Sequence, residues 1–141
     1  MPQWKPQGTH RYYEEEDVLF WESHGLITLS DMEAAFRALE GIQDRHGYVI
    51  GIFDARDKVS VSPEARRYTA AQGRGGARPA ATIIIGASAT LRTIMRLLHN
   101  AYRLFGLNAP TTHYCVSVDD AFLGAQRERQ KLREELAAEQ S

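Results

Sequence analysis

The chain has 141 residues, 43% of them apolar and 25% charged, and a net charge of −1. That is the size of one domain and the composition of an ordinary water-exposed globule, able to bury roughly two thirds of its unfolded surface. One cysteine, Cys115, excludes an internal disulfide and a cysteine-rich zinc cluster, and no apolar run approaches the ~20 residues that span a bilayer.

The first ten residues, "MPQWKPQGTH", lack the apolar centre of a signal peptide, so a cytoplasmic protein is expected. Residues 1–8, with Pro2, Pro6 and Gly8, read as a disordered tail. Two short runs rich in Tyr, Val, Phe and Trp then flank an acidic turn, which predicts a β-hairpin over 9–14 and 18–24.

"SDMEAAFRALEGIQDRHG" predicts the first helix, capped by Ser30 with Glu33 reaching back, and closed by Gly47. Its apolar face would hold Met32, Ala35, Phe36, Leu39 and Ile42, with Gln43 on the same line. "YVIGIFD" is an apolar run of strand length, the pattern of a strand covered on both faces.

The polar stretch after Asp54 reads as a loop that ends at Ser62-Pro63, a serine cap followed by proline at the first helical position. A short polar helix carrying Arg66 and Arg67 should follow, then a flexible loop from Gln72 to Ala80. "ATIIIGA" is a second buried strand. The next helix, from Ser88, places Leu91, Ile94, Met95, Leu98, Ala101, Tyr102 and Phe105 on one face and stops at Gly106. "HYCVSV" is the last strand, and from Asp119 the chain reads as helical. There Phe122, Ala125, Leu132 and Leu136 keep helical spacing, with Arg129 interrupting. The segment 127–141 is expected to be a charged extension that frays or pairs with another chain, as in a homodimer.

Strands alternating with helices imply an α/β domain over 9–126. Its mixed, mostly parallel sheet would have about five strands and an N-terminal hairpin, with about four helices.

Charge is unevenly spread. Lys and Arg number four against nine acids in 1–53, nine against three in 54–103, and four against six in 104–141. The basic middle either faces an anionic partner or is neutralised by the chain's own acidic ends. Arg92, Arg96, His99 and Arg103 form one helical stripe with no acid on it, a candidate patch for an acidic partner or an anionic ligand.

Asp54 and Arg56, with Ser60 and Ser62, follow an apolar strand, where ligands gather in open α/β sheets. Gly86 and Ser88 make a strand-glycine-helix turn whose backbone N–H groups could receive an anion. As a nucleophile elbow that turn fails, because Thr90 stands where the second glycine belongs. The five histidines have no metal-ligand spacing, so no metal is expected; none can be placed beside Ser88 or Cys115 by spacing, so no catalytic residue is expected, and no cofactor either. Nucleic acid is disfavoured, because the basic residues lack interleaved aromatics.

The element order, with "FDARDKVSVSPEAR", a small-residue loop and "IIIGAS", resembles the STAS domains, closest to the SpoIIAA-like (STAS/SEC14) branch related to the anti-sigma-factor antagonists. The likeness covers roughly residues 10–125. It implies a non-catalytic regulatory domain of bacterial signalling. Such a domain docks a kinase or another regulator through the loop and helix after Asp54, under control of a phosphoserine. The family's Asp-Ser pair falls on Ser62 and Pro63, and proline has no hydroxyl, so Ser62 and Ser60 are the phosphorylation candidates. The branch name implies the alternative of a lipid or nucleotide ligand at the strand carboxyl ends.

Overall fold

The computed structural model describes residues 2–72, 80–104 and 111–140. Ten elements follow in the order β1 Lys5–Gln7, β2 His10–Glu15, β3 Val18–Ile27, α1 Leu29–His46, β4 Val49–Val61, α2 Pro63–Gln72, β5 Ala80–Ile85, α3 Ala89–Leu104, β6 Thr111–Cys115 and α4 Val118–Glu139. The six strands form one sheet in the order β1-β2-β3-β4-β5-β6. β1, β2 and β3 pair antiparallel, while β3 to β6 are parallel neighbours. This is the expected α/β sheet with an N-terminal hairpin.

Each parallel crossover steps the same way along the sheet, and right-handed crossovers then place their helices on one face. The packing agrees. Ile42 of α1 meets Leu19 and Val49, Ala34 and Ala35 meet Trp21, and Leu91 of α3 meets Ala55 and Ile84. The alternate residues point the other way, because side chains along a strand alternate with period two. Val18, Phe20, Ile50, Ile52, Ile83 and Ile85 pack with Ala121, Ala125 and Leu132 of α4. Among the described residues one helix, α4, therefore covers the second face.

Five sequence expectations need correction. Residues 2–8 are no disordered tail: Lys5–Gln7 adds an edge strand, and Trp4 packs edge-on against Tyr13 with Arg11 over the Trp4 ring. That strand makes the sheet six-stranded. The α1 cap is Thr28, with Asp31 completing the capping box, and Ser30 lies one residue inside the helix. Asp31 is recruited because its carboxylate also accepts from Gln7 and meets His10. The last strand covers 111–115, since Ser117 caps α4 and ends the extended run there. Residues 127–139 are helical as expected but pack on the domain instead of extending from it. Arg129 donates to Asp17, Leu132 is buried, and Leu136 packs on the same core. Gly47 closes α1 at φ +83, as its position predicts. Gly106, Phe105 and most of the predicted 72–80 loop lie outside the described residues.

The largest difference is β4. It continues past Asp54 to Val61, through the stretch that reads as a loop. β5 ends at Ile85 opposite Asp54, so beyond that point β4 pairs with β3 alone. The overhang tolerates "ARDKVS" because Arg56, Asp57, Lys58 and Ser60 are exposed, while Ala55 and Val59 pack with Ile84 and Leu91. Two register shifts, one with Lys58 at φ +43, mark bulges that turn this overhang.

Candidate functional site

Midway along β3 and β4, level with the carboxyl end of β5, a polar cluster gathers around a shallow cavity of about 350 Å³, lined by Glu22, Ser23, His24, Asp54, Arg56 and Asp57. The first bulge of β4 falls between Asp54 and Asp57, which oppose Glu22 and His24 in register. Asp54 is 7% exposed and takes a two-pronged contact from Arg56, Nε to Oδ1 at 2.9 Å and Nη2 to Oδ2 at 2.7 Å. The Arg56 backbone N–H donates to the same carboxylate at 3.1 Å. Burial pushes the Asp54 carboxyl up, but the Arg56 hydrogen bonds outweigh it and hold the group below the usual range.

His24 bridges two carboxylates, with Nδ1 2.8 Å from Asp57 Oδ2 and Nε2 2.9 Å from Glu22 Oε1. Both ring nitrogens donate only in the imidazolium form. Its pKa is raised, first by the Asp57 hydrogen bond and then by the Glu22 one. Arg11 donates to the other oxygen of Glu22 at 3.0 Å. Gly86, at φ +68, lies under Arg56: a Cβ there would come within 2.5 Å of the arginine Cγ. The glycine predicted as an anion cradle thus serves a close approach of Arg56.

The remaining predicted residues are spread over a second region. Ser62 Oγ accepts from the Ala65 N–H at 3.1 Å and is a cap. Ser60 stands exposed on the overhang. Arg66 and Arg67 are exposed on α2, with Arg67 3.6 Å from Glu64. Ser88 Oγ accepts from the Leu91 N–H at 3.1 Å, a cap again. Arg92 lies over the Tyr114 ring at 4.6 Å, and Arg96, His99 and Arg103 are exposed on α3. α2 and α3 are neighbours, joined by the Tyr102 hydroxyl donating to the Thr69 carbonyl at 2.6 Å. Among the described residues no hydrogen bond or ion pair joins Asp54 or Arg56 to the arginines of α2 and α3, although Leu91 of α3 packs against Ala55, the residue between the two.

Glu22, His24 and Asp57 escape a sequence reading of the site. Their one local signal is the alternation Glu22-Ser23-His24 at the end of an apolar strand, which places Glu22 and His24 on one face. Asp57 joins them only through the bulge.

A second polar network stands at the opposite end of the strands. Asp17, 1% exposed, accepts from Tyr48 at 2.6 Å and from Arg129 at 2.6 and 2.8 Å, and Arg133 donates to the Tyr48 hydroxyl. Burial pushes Asp17 up, yet the Arg129 and Tyr48 hydrogen bonds hold it below its ordinary value. This network fastens α4 to the sheet. Among the described residues no helix is long and apolar enough to cross a membrane. Comparison with protein-family models finds no match. Comparison with curated proteins finds no significant match.

Proposed function

We propose that this chain is a non-catalytic regulatory domain of the STAS type, SpoIIAA-like and related to the anti-sigma-factor antagonists, that docks a protein partner such as a kinase or another regulator through α2 and the overhang leading into it. The observation that carries this reading is the contrast between the two polar regions. Beside the end of β5, Asp54, Glu22 and Asp57 are matched by Arg56, Arg11 and His24. On α2, Arg66 and Arg67 are exposed, with only a loose contact from Arg67 to Glu64, and Ser60 is exposed on the strand that leads into this helix.

A phosphate on Ser60 lies just ahead of the α2 N-terminus, where the helix dipole favours negative charge. Ser62 is the poorer acceptor, since its oxygen is engaged in capping. Catalysis is disfavoured by the same bookkeeping of partners. Ser88 is a cap, and the Cys115 thiol is pushed up by burial, away from the reactive thiolate.

Affinity capture from the native cell, with intact-mass measurement of the captured chain, tests the reading. A partner lost in Arg66→Glu/Arg67→Glu and a phosphate-sized mass lost in Ser60→Ala are the expected results. A partner retained in full by the charge-reversed chain overturns the docking face. The cavity beside Asp54 supports a second reading, a small lipid or nucleotide ligand at the strand ends. Native mass spectrometry of freshly purified protein separates the two: added non-covalent mass favours the ligand.

A further inference from the structure

α3 carries two apolar rows. Leu91, Met95, Leu98 and Tyr102 face inward, with Leu91 and Met95 in the cluster around Ile84 and Tyr102 buried. Ile94, Leu97, Ala101 and Leu104 make a second row, spaced three, four and three, which is the seam spacing of a helix that packs on another helix. Ile94 and Ala101 are half-buried, while Leu97 is 62% and Leu104 85% exposed. The core therefore uses the first row and leaves the second facing water.

The charge beside that row selects what can cover it. α3 has no acidic residue, and among the described residues Arg96 and Arg103 form no ion pair. The two arginines are seven apart, so they lie on one line of the helix. Thr93 and Asn100, both short, separate this line from the apolar row, which leaves the arginine arms a path to its rim. A second copy packed α3 against α3 would bring like charges together, which selects against self-pairing.

We infer that the Ile94, Leu97, Ala101 and Leu104 row docks an amphipathic helix of a protein partner whose rim is acidic, its carboxylates meeting Arg96 and Arg103. This rests on the interaction-domain reading and names the chemistry of the partner.

The test uses the intact chain and two labelled synthetic helical peptides, with leucine at the seam positions of each heptad and glutamate or lysine at the flanking ones. Fluorescence anisotropy should show the glutamate peptide binding and the lysine twin not. Leu97→Gln/Leu104→Gln should weaken binding by about tenfold or more, the scale of losing a buried anchor. Both leucines are exposed, so the variant should keep its unfolding midpoint. Arg96→Glu/Arg103→Glu should reverse the preference toward the lysine peptide, and it tests the same seam without touching an apolar group.

Failure of both peptides to bind overturns the inference, as does binding that neither double variant changes. Sedimentation with phosphatidylglycerol-containing vesicles that is lost in the leucine variant overturns it in favour of a membrane surface. A dimer in analytical ultracentrifugation that the leucine variant abolishes overturns it in favour of a second copy. If the native partner is lost with Arg66→Glu/Arg67→Glu yet held by Leu97→Gln/Leu104→Gln, the interaction domain stands and this helix-docking surface falls.

Discussion

His24 is held by two carboxylates from two strands, and its protonation state sets how well β3 and β4 are tied at the first bulge. Its pKa is raised in the folded chain, so it contributes stability that is fully present below the unfolded value and is lost as pH rises through the folded one. The ring is two-fifths exposed, so the effect is small and screened by salt. NMR titration of the imidazole should give a midpoint above the ordinary histidine range. The stability of His24→Gln should lack the decline that the parent shows across that window; parallel pH profiles for the two chains would refute the clamp. The neighbouring Asp54 behaves oppositely: its stabilisation is present above the unfolded value and is lost as pH falls through the depressed folded one.

Among the elements, α1 shows where local rules compete. Ser30 with Glu33 and Thr28 with Asp31 both offer a capping pair, and spacing alone does not separate them. What decides is β1 and β2: Gln7 and His10 fix the Asp31 carboxylate, which accepts from the Thr28 N–H at 3.0 Å. Thr28→Ala should therefore cost about 1 kcal/mol in urea unfolding, the ordinary value of a lost cap, while Ser30→Ala should change little. The reverse order would return the cap to Ser30.

The same contrast separates what the sequence made legible from what it hid. Apolar period marked β3, β4, β5 and α3, and Gly47 and Ser62-Pro63 marked ends that the structure keeps. The overhang of β4 was hidden because "ARDKVS" has a loop's composition, and only the pairing of Asp57, Ser60 and Val61 with β3 makes it a strand. For the candidate site, Asp54, Arg56 and Gly86 were legible as residues following an apolar run. Glu22 and His24 come from a strand thirty residues earlier, and no local pattern joins them to the cluster.

In the whole molecule the second face of the sheet depends on α4. Asp17 and Arg129 are 112 residues apart, and the Leu132 and Leu136 contacts lie in the same helical segment. Removing residues 127–141 strips Asp17 of its guanidinium and uncovers the Tyr48 end of the core. Loss of one partner of a buried pair typically costs about 3–5 kcal/mol, and Leu132 adds its own burial. A domain of this size holds about 5–15 kcal/mol, so the truncated chain should lose its cooperative thermal transition or show a midpoint many degrees lower. A truncated chain that melts at the parental temperature would show that the segment is dispensable.

The placement of α4 also bears on the order in which the molecule can be completed. α4 follows every described strand, and until it docks Ile50, Ile52, Ile83 and Ile85 present a bare β-branched surface. During synthesis from the N-terminus, the six-stranded half is finished before its lid exists. Partly closed sheets of this kind are the species that associate wrongly or recruit chaperones. The same closing contact spans nearly the whole domain, a long-range pairing of the sort that slows folding. A nascent or stalled chain that lacks this helix should therefore be the aggregation-prone form.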